Sequence, residues 1–205
     1  MLELATRIGA FGTVGGVVGT GCKQYYRFPH PAYNRVDDVV APVPWSAVAA
    51  LRGIAADISS ASWFDVSGVR PHLGLPIPGA TDEPLEGMHE QTLKPRLALT
   101  LAAFAGDATV WTARWLGYNE AEDLSDETAD RVTVHHEVYV ARRADVDRPG
   151  PWLATANYVW GDSGHWLLCA NIDCMSTYVG VREANGLAWP DDVEVALVTP
   201  DMPAS

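Results

Sequence analysis

The spacing of apolar residues predicts a sheet in the C-terminal part of the chain. Residues 131–143 alternate strictly between apolar and polar positions, as expected of a strand with one buried face. That apolar face would consist of Val132, Val134, His136, Val138 and Val140. Further strand-like runs cover residues 97–102, 109–118, 152–160, 165–174 and 193–199. The pattern therefore predicts an α+β fold with an antiparallel meander sheet of about five or six strands.

The segment 93–105 fits two structures. Leu97, Leu99 and Leu101 alternate with smaller residues, which favours the first strand of a hairpin with residues 109–118. Gly106 and Asp107 would then form the turn. A helix over Leu93–Ala105 is the alternative, because leucines four residues apart also share a helical face.

One main helix is predicted over residues 46–58, packed on one face of the sheet. Ser46 can cap its N-terminus. Its apolar face would be formed by Val48, Leu51, Ala55 and Ile58.

The N-terminal half is predicted to be long and irregular. Residues 28–44 contain four prolines and are expected to form an extended surface connection, and residues 59–92 form a long loop. We therefore expect a Gly/Pro-rich N-terminal arm over residues 1–45 and a single α+β domain over residues 46–205.

The uncharged, glycine-rich run 8–22 is too short for a helix that spans a bilayer, so no stable membrane span is expected. We expect it to lie against the domain or against a second copy, in a homo-oligomer formed through the arm. Export as a lipoprotein processed at Cys22 is the alternative, but Glu3 offsets Arg7, and Gly19 stands where a branched aliphatic residue is needed.

Composition narrows the classes of function. The net charge of −12 disfavours nucleic-acid binding and favours a basic protein partner. Acidic residues concentrate in residues 119–130, where a solvated, partner-binding segment is predicted from Glu120, Glu122, Asp123, Asp126, Glu127 and Asp130. Three cysteines are too few for a disulfide framework, which indicates the cytoplasm. Only two lysines, beside many arginines and alanines, favour a bacterial source, or a phage, in which case the protein would be located in the virion.

Four residues, Gly161 to Gly164, resemble the sequence around the nucleophile of chymotrypsin-like serine proteases. The protease pattern continues with glycine and proline, whereas His165 and Trp166 follow here. Glycine, aspartate and serine also suit a four-residue hairpin loop. We therefore predict a hairpin that pairs Trp160 with His165, and no nucleophile at Ser163.

A polar pair on the predicted strand 131–143 is the best candidate for chemistry. His135 and Glu137 share one face, and His165 or Asp173 on a neighbouring strand could join them in proton transfer. Two ligands do not make a metal site, so neither a metal nor a cofactor is expected. His136, on the apolar side, is predicted to be a core residue.

Aromatic residues form the last candidate surface. Trp111 and Trp115 share one strand face, which is either core or an exposed patch for a protein partner. These patterns predict a non-enzymatic acidic interaction protein, either an inhibitor of the immunity type that neutralises a toxin or an assembly subunit. The alternative is a small-molecule enzyme or ligand-binding domain that uses the His/Glu pair.

Overall fold

The computed structural model describes residues 2–37, 39–71, 73–84, 93–117, 130–134, 136–148, 150–171 and 173–204. These residues contain six helices: α1 Leu2–Arg7, α2 Val14–Val18, α3 Trp45–Leu51, α4 Trp63–Ser67, α5 Leu93–Ala105 and α6 Trp152–Thr155. They also contain ten strands: β1 Gln24–Pro29, β2 Ala32–Val36, β3 Val39–Val43, β4 Thr109–Trp115, β5 Asp130–Val134, β6 Glu137–Asp145, β7 Tyr158–Gly161, β8 Trp166–Cys169, β9 Ser176–Val181 and β10 Ala196–Val198.

Eight strands form one antiparallel sheet in the order β10-β1-β9-β8-β7-β4-β6-β5. The predicted α+β class with an antiparallel sheet is confirmed, but the sheet has more strands than the five or six expected. Strand β1 from the N-terminal half lies between β9 and β10, so the sheet is not a simple meander. A pairing between distant chain segments leaves no local signal in the sequence.

Each face of the sheet is covered by a separate layer. Tyr158 and Trp160 of β7 belong to a core that includes Val14, Val17 and Val18 of α2, whereas Val159 points to the opposite face. The opposite core is closed by α5 and α6. Helix α2 is therefore buried, and Thr13 caps it by accepting a hydrogen bond from the Gly16 N–H at 3.1 Å.

The segment 93–105 is a helix, so the predicted strand at residues 97–102 is wrong. Buried Leu97, Ala98, Leu101 and Ala102 follow helical spacing, whereas Leu99 is only half-buried. Pro95 lies in the first turn, where a helix tolerates proline. Helix α5, with 13 residues, is the longest of the described helices and packs on β7 and β8, so the helix predicted at residues 46–58 is not the main one. The corresponding helix, α3, ends at Leu51 and packs on α4 instead.

Residues 131–143 form two strands and not one. Strands β5 and β6 pair through a tight turn, with Val134 opposite Glu137. His136 lies in this turn with φ 74° and is exposed, so its predicted core position is wrong. Without a glycine or an Asn-Gly pair, the sequence gives no turn signal there. The turn also reverses the alternation, so that Tyr139 and Ala141 share a core with Val132 and Val134.

The prediction of a long irregular N-terminal half is also wrong. Strands β2 and β3 form a separate two-stranded ribbon, which accommodates Pro42 because neither strand is central in a sheet. The segments Val14–Val18 and Gln24–Pro29, which belong to the predicted arm, lie in the core and in the sheet.

A third small core joins this ribbon to α3 and α4. Arg27 of β1, only 2% exposed, links it to the sheet. Its guanidinium group donates to Ser176 Oγ at 2.9 Å and to the Ala61 carbonyl at 2.7 Å, and it lies 5.0 Å from the ring of Trp45. The buried cation is thus held by neutral acceptors and an aromatic face.

Candidate functional site: an acidic and aromatic cleft

A cleft of about 580 Å³ opens where the ends of β4, β5, β6 and β7 meet the segment that follows α1. We call it the acid–aromatic cleft. The residues that line it are Ile8, Gly9, Phe11, Trp115, Val134, Glu137, Tyr139, Asn157, Tyr158, Asn171 and Asp173. None of these described lining residues is a lysine, an arginine or a histidine.

Two carboxylates give the cleft its charge. Glu137 begins β6 and Asp173 follows β8, and both side chains are exposed. The Asp173 backbone N–H donates to Asn171 Oδ1 at 2.9 Å, which fixes the loop that carries this acid. Both residues line the cleft, so their carboxylates can accept hydrogen bonds from a ligand there.

Aromatic side chains form the walls. The Trp115 indole N–H donates to the Glu137 carboxylate, and the Trp115 backbone N–H donates to Asn157 Oδ1 at 2.7 Å. Tyr139 and Tyr158 meet edge to face, with 5.4 Å between their ring centroids. The indole and one carboxylate are therefore positioned before any ligand arrives.

The two tyrosines of the cleft, and the Cys169 thiol that contacts Tyr158, are neutral. Burial raises the pKa of Tyr139 to about 12, and the nearby Cys169, Glu137 and Asp173 act in the same direction. Burial also raises the pKa of Tyr158 and of Cys169. Because these groups stay protonated at neutral pH, the charge of the cleft comes from its two carboxylates.

The structure brings together some of the residues predicted to carry chemistry. Glu137 and Asp173 both line the acid–aromatic cleft, whereas His165 is exposed in the turn between β7 and β8 and is not among its described lining residues. His135 lies outside the described residues. Among the described residues, no three His, Cys, Asp or Glu side chains are grouped as metal ligands.

The predicted partner-binding residues are only partly described. Asp130 is exposed at the start of β5, an edge strand of the sheet. The other five acids of the acidic segment lie outside the described residues. Trp111 is half-buried and stacks on Trp160 at 6.1 Å, and its indole N–H donates to Asp162 Oδ1 at 2.8 Å.

The resemblance to a protease nucleophile falls in a hairpin turn. Strands β7 and β8 pair as predicted, but Trp160 faces Leu167 and not His165, because the turn begins one residue later than expected. Ser163 Oγ donates to Asp107 Oδ2 at 3.0 Å, and the Ser163 backbone N–H donates to Asp107 Oδ1 at 2.8 Å. Asp107 also accepts the indole N–H of Trp166 at 2.9 Å, so these contacts tie the turn to the end of α5.

The tyrosines of the cleft carry no recognisable signal in the sequence. In a single strand over residues 131–143, alternation places Tyr139 on the polar face with His135 and Glu137, and Tyr158 lies in the strand-like run 152–160 without any motif around it. Recognition of the turn at His136 would have moved Tyr139 to the same face as Val134. Cys22, Cys169 and Cys174 form no disulfide, in agreement with the sequence.

No known protein family, curated protein or solved structure matches this chain. Across the part of the chain that the structure describes, no helix has the length and apolar character needed to cross a bilayer.

Proposed function

We propose that this chain is a non-enzymatic protein-binding domain whose partner is a basic protein. The observation that carries the proposal is that residues of β4 and β5, the two strands between which the acidic segment lies in the sequence, both line the acid–aromatic cleft. Trp115, at the end of β4, and Val134, in β5, line the cleft. Residues 119–130, with six acids and no basic residue, connect these two strands.

Charge supports this class of partner. At −12 overall, the chain attracts basic proteins at long range, and such attraction raises association rates more than it lowers dissociation rates. Aromatic residues within a polar rim are typical of the residues that contribute most to protein interfaces. A toxin-neutralising inhibitor or an assembly subunit, in a bacterial cytoplasm or a phage particle, would use such a surface.

The test is affinity capture from the native host, followed by titration calorimetry with the purified partner at two salt concentrations. We expect one stoichiometric basic partner whose affinity falls as salt rises. Reversal of Glu120, Glu122 and Asp123 to lysine should weaken binding by about tenfold at low salt, since each exposed pair contributes about 0.2–1 kcal/mol.

A control variant changes the net charge by the same amount at three acids outside the proposed interface. Asp147, Glu183 and Asp191 are exposed acids outside the acid–aromatic cleft, and their reversal to lysine should leave most of the affinity. Equal losses in the two triple variants would contradict a localised acidic interface. Capture of no stoichiometric basic partner would contradict the proposal as a whole.

One observation favours a second function. Glu137 and Asp173, which the sequence predicts as candidates for proton transfer, share a cleft large enough for a small molecule. A ligand-binding domain or enzyme would depend on His135 as well, so His135→Ala would abolish its biological activity. The protein-binding proposal expects His135→Ala to retain activity.

A further inference from the structure

The acid–aromatic cleft has the features of a binding site for an organic cation. It combines two exposed carboxylates with an indole and two tyrosine rings on one concave surface. A volume of about 580 Å³ suits a side chain with its stem better than a lone metal ion, and the described residues offer no group of three metal ligands.

We propose that the acid–aromatic cleft binds an arginine side chain of the basic protein partner, with its guanidinium group at Glu137 and Asp173 and its aliphatic stem along Trp115. This inference rests on the proposed function, because it names what that partner inserts.

The chemistry favours arginine over lysine. A guanidinium group is planar, carries five N–H donors, is weakly hydrated and stacks on aromatic rings, whereas an ammonium group is compact and strongly hydrated. The cleft offers carboxylate acceptors beside aromatic surface, and none of its described lining residues is a lysine, an arginine or a histidine that would repel a cation.

The site is organised in advance. The Trp115 indole N–H orients the Glu137 carboxylate but uses only part of its acceptor capacity. The Trp115 backbone N–H donates a hydrogen bond to Asn157 Oδ1 at 2.7 Å, and the Asp173 backbone N–H donates one to Asn171 Oδ1 at 2.9 Å. Binding therefore orders few protein groups, which reduces its entropic cost.

The experiment is an NMR titration of the full chain with N-acetyl-arginine methylamide, followed at the Trp115 indole N–H, whose signal is assigned by Trp115→Phe. We expect a saturable shift, a weaker response to the lysine analogue and none to the neutral norleucine analogue. Glu137→Gln combined with Asp173→Asn should weaken arginine binding by about tenfold, because each exposed pair contributes up to about fivefold. The control, Asp147→Asn with Asp191→Asn, removes the same charge and should leave the affinity unchanged.

Each contrary outcome has a definite meaning. Absence of a shift at Trp115, equal weakening in both double variants or equal binding of the lysine analogue would overturn the arginine assignment. If the captured partner binds the Glu137→Gln, Asp173→Asn variant as tightly as the wild type, the inference fails and the proposed function stands. If arginine titrates as expected but no basic partner exists, the proposed function fails and the site stands.

Discussion

Replacement of Arg27 by methionine should destabilise the protein, because this buried cation links the third core to the sheet. Its guanidinium group donates to Ser176 Oγ at 2.9 Å, to the Ala61 carbonyl at 2.7 Å and to the Ile58 carbonyl at 3.2 Å. Methionine keeps much of the apolar volume but removes every donor. Three hydrogen bonds at about 1 kcal/mol net each predict a loss of about 3 kcal/mol in the free energy of unfolding.

Urea unfolding followed by circular dichroism measures this loss, with Arg148→Met as a control because Arg148 is exposed. The control should change the free energy of unfolding by less than about 0.5 kcal/mol. A loss below about 1 kcal/mol in Arg27→Met, or equal losses in the two variants, would refute the assigned role of Arg27.

Three further predictions concern other contacts. Gly161→Ala should lower the free energy of unfolding by about 1–3 kcal/mol in urea. The new Cβ would lie 1.8 Å from Asp107 Oδ2 and would displace the carboxylate that accepts hydrogen bonds from Ser163 and Trp166. The control, Gly21→Ala, has open space around the new Cβ and should leave the free energy of unfolding unchanged. Glu194→Ala should lower the free energy of unfolding by about 1 kcal/mol in the same assay. The Glu194 carboxylate accepts hydrogen bonds from the Trp45 and Ser46 backbone N–H groups at the start of α3. An equal loss in Glu183→Ala would contradict this capping role. Burial lowers the pKa of Lys94 to about 8, below its unfolded value of 10.5, so the unfolded state binds more protons between these values and stability rises with pH. From pH 7.5 to 9.5 the free energy of unfolding should rise by about 2 kcal/mol more in the wild type than in Lys94→Met. The same pH dependence in both proteins would contradict the lowered pKa of Lys94.

The sequence predicted elements with strong local signals. The hairpin of β7 and β8 was found because glycine, aspartate and serine favour a turn between two apolar runs, although its register was displaced. The antiparallel sheet followed from period-two alternation. Helix α5 was misassigned because Leu97 and Leu101 satisfy both periods, and only the buried Ala98 and Ala102 distinguish them.

Other elements depend on contacts that are remote in sequence. Strand β1 pairs with β9 and β10, more than 140 residues away, and α2 contains two glycines that disfavour an isolated helix. Gly16 is required there because a Cβ would lie 2.0 Å from the Ala10 carbonyl oxygen.

The candidate site was predicted in part. Glu137 and Asp173 were selected for their chemistry, but their proximity depends on the turn at His136, which has no glycine to indicate it. Tyr139 and Tyr158 could not be added to the site before that turn was known.

Intermolecular nuclear Overhauser effects with an arginine peptide provide the most direct test of the acid–aromatic cleft as the binding surface. We predict contacts between the arginine methylene protons and the ring protons of Trp115 and Tyr139. Contacts confined to other surfaces, such as the exposed Val36 and Val39 of the β2–β3 ribbon, would contradict this assignment.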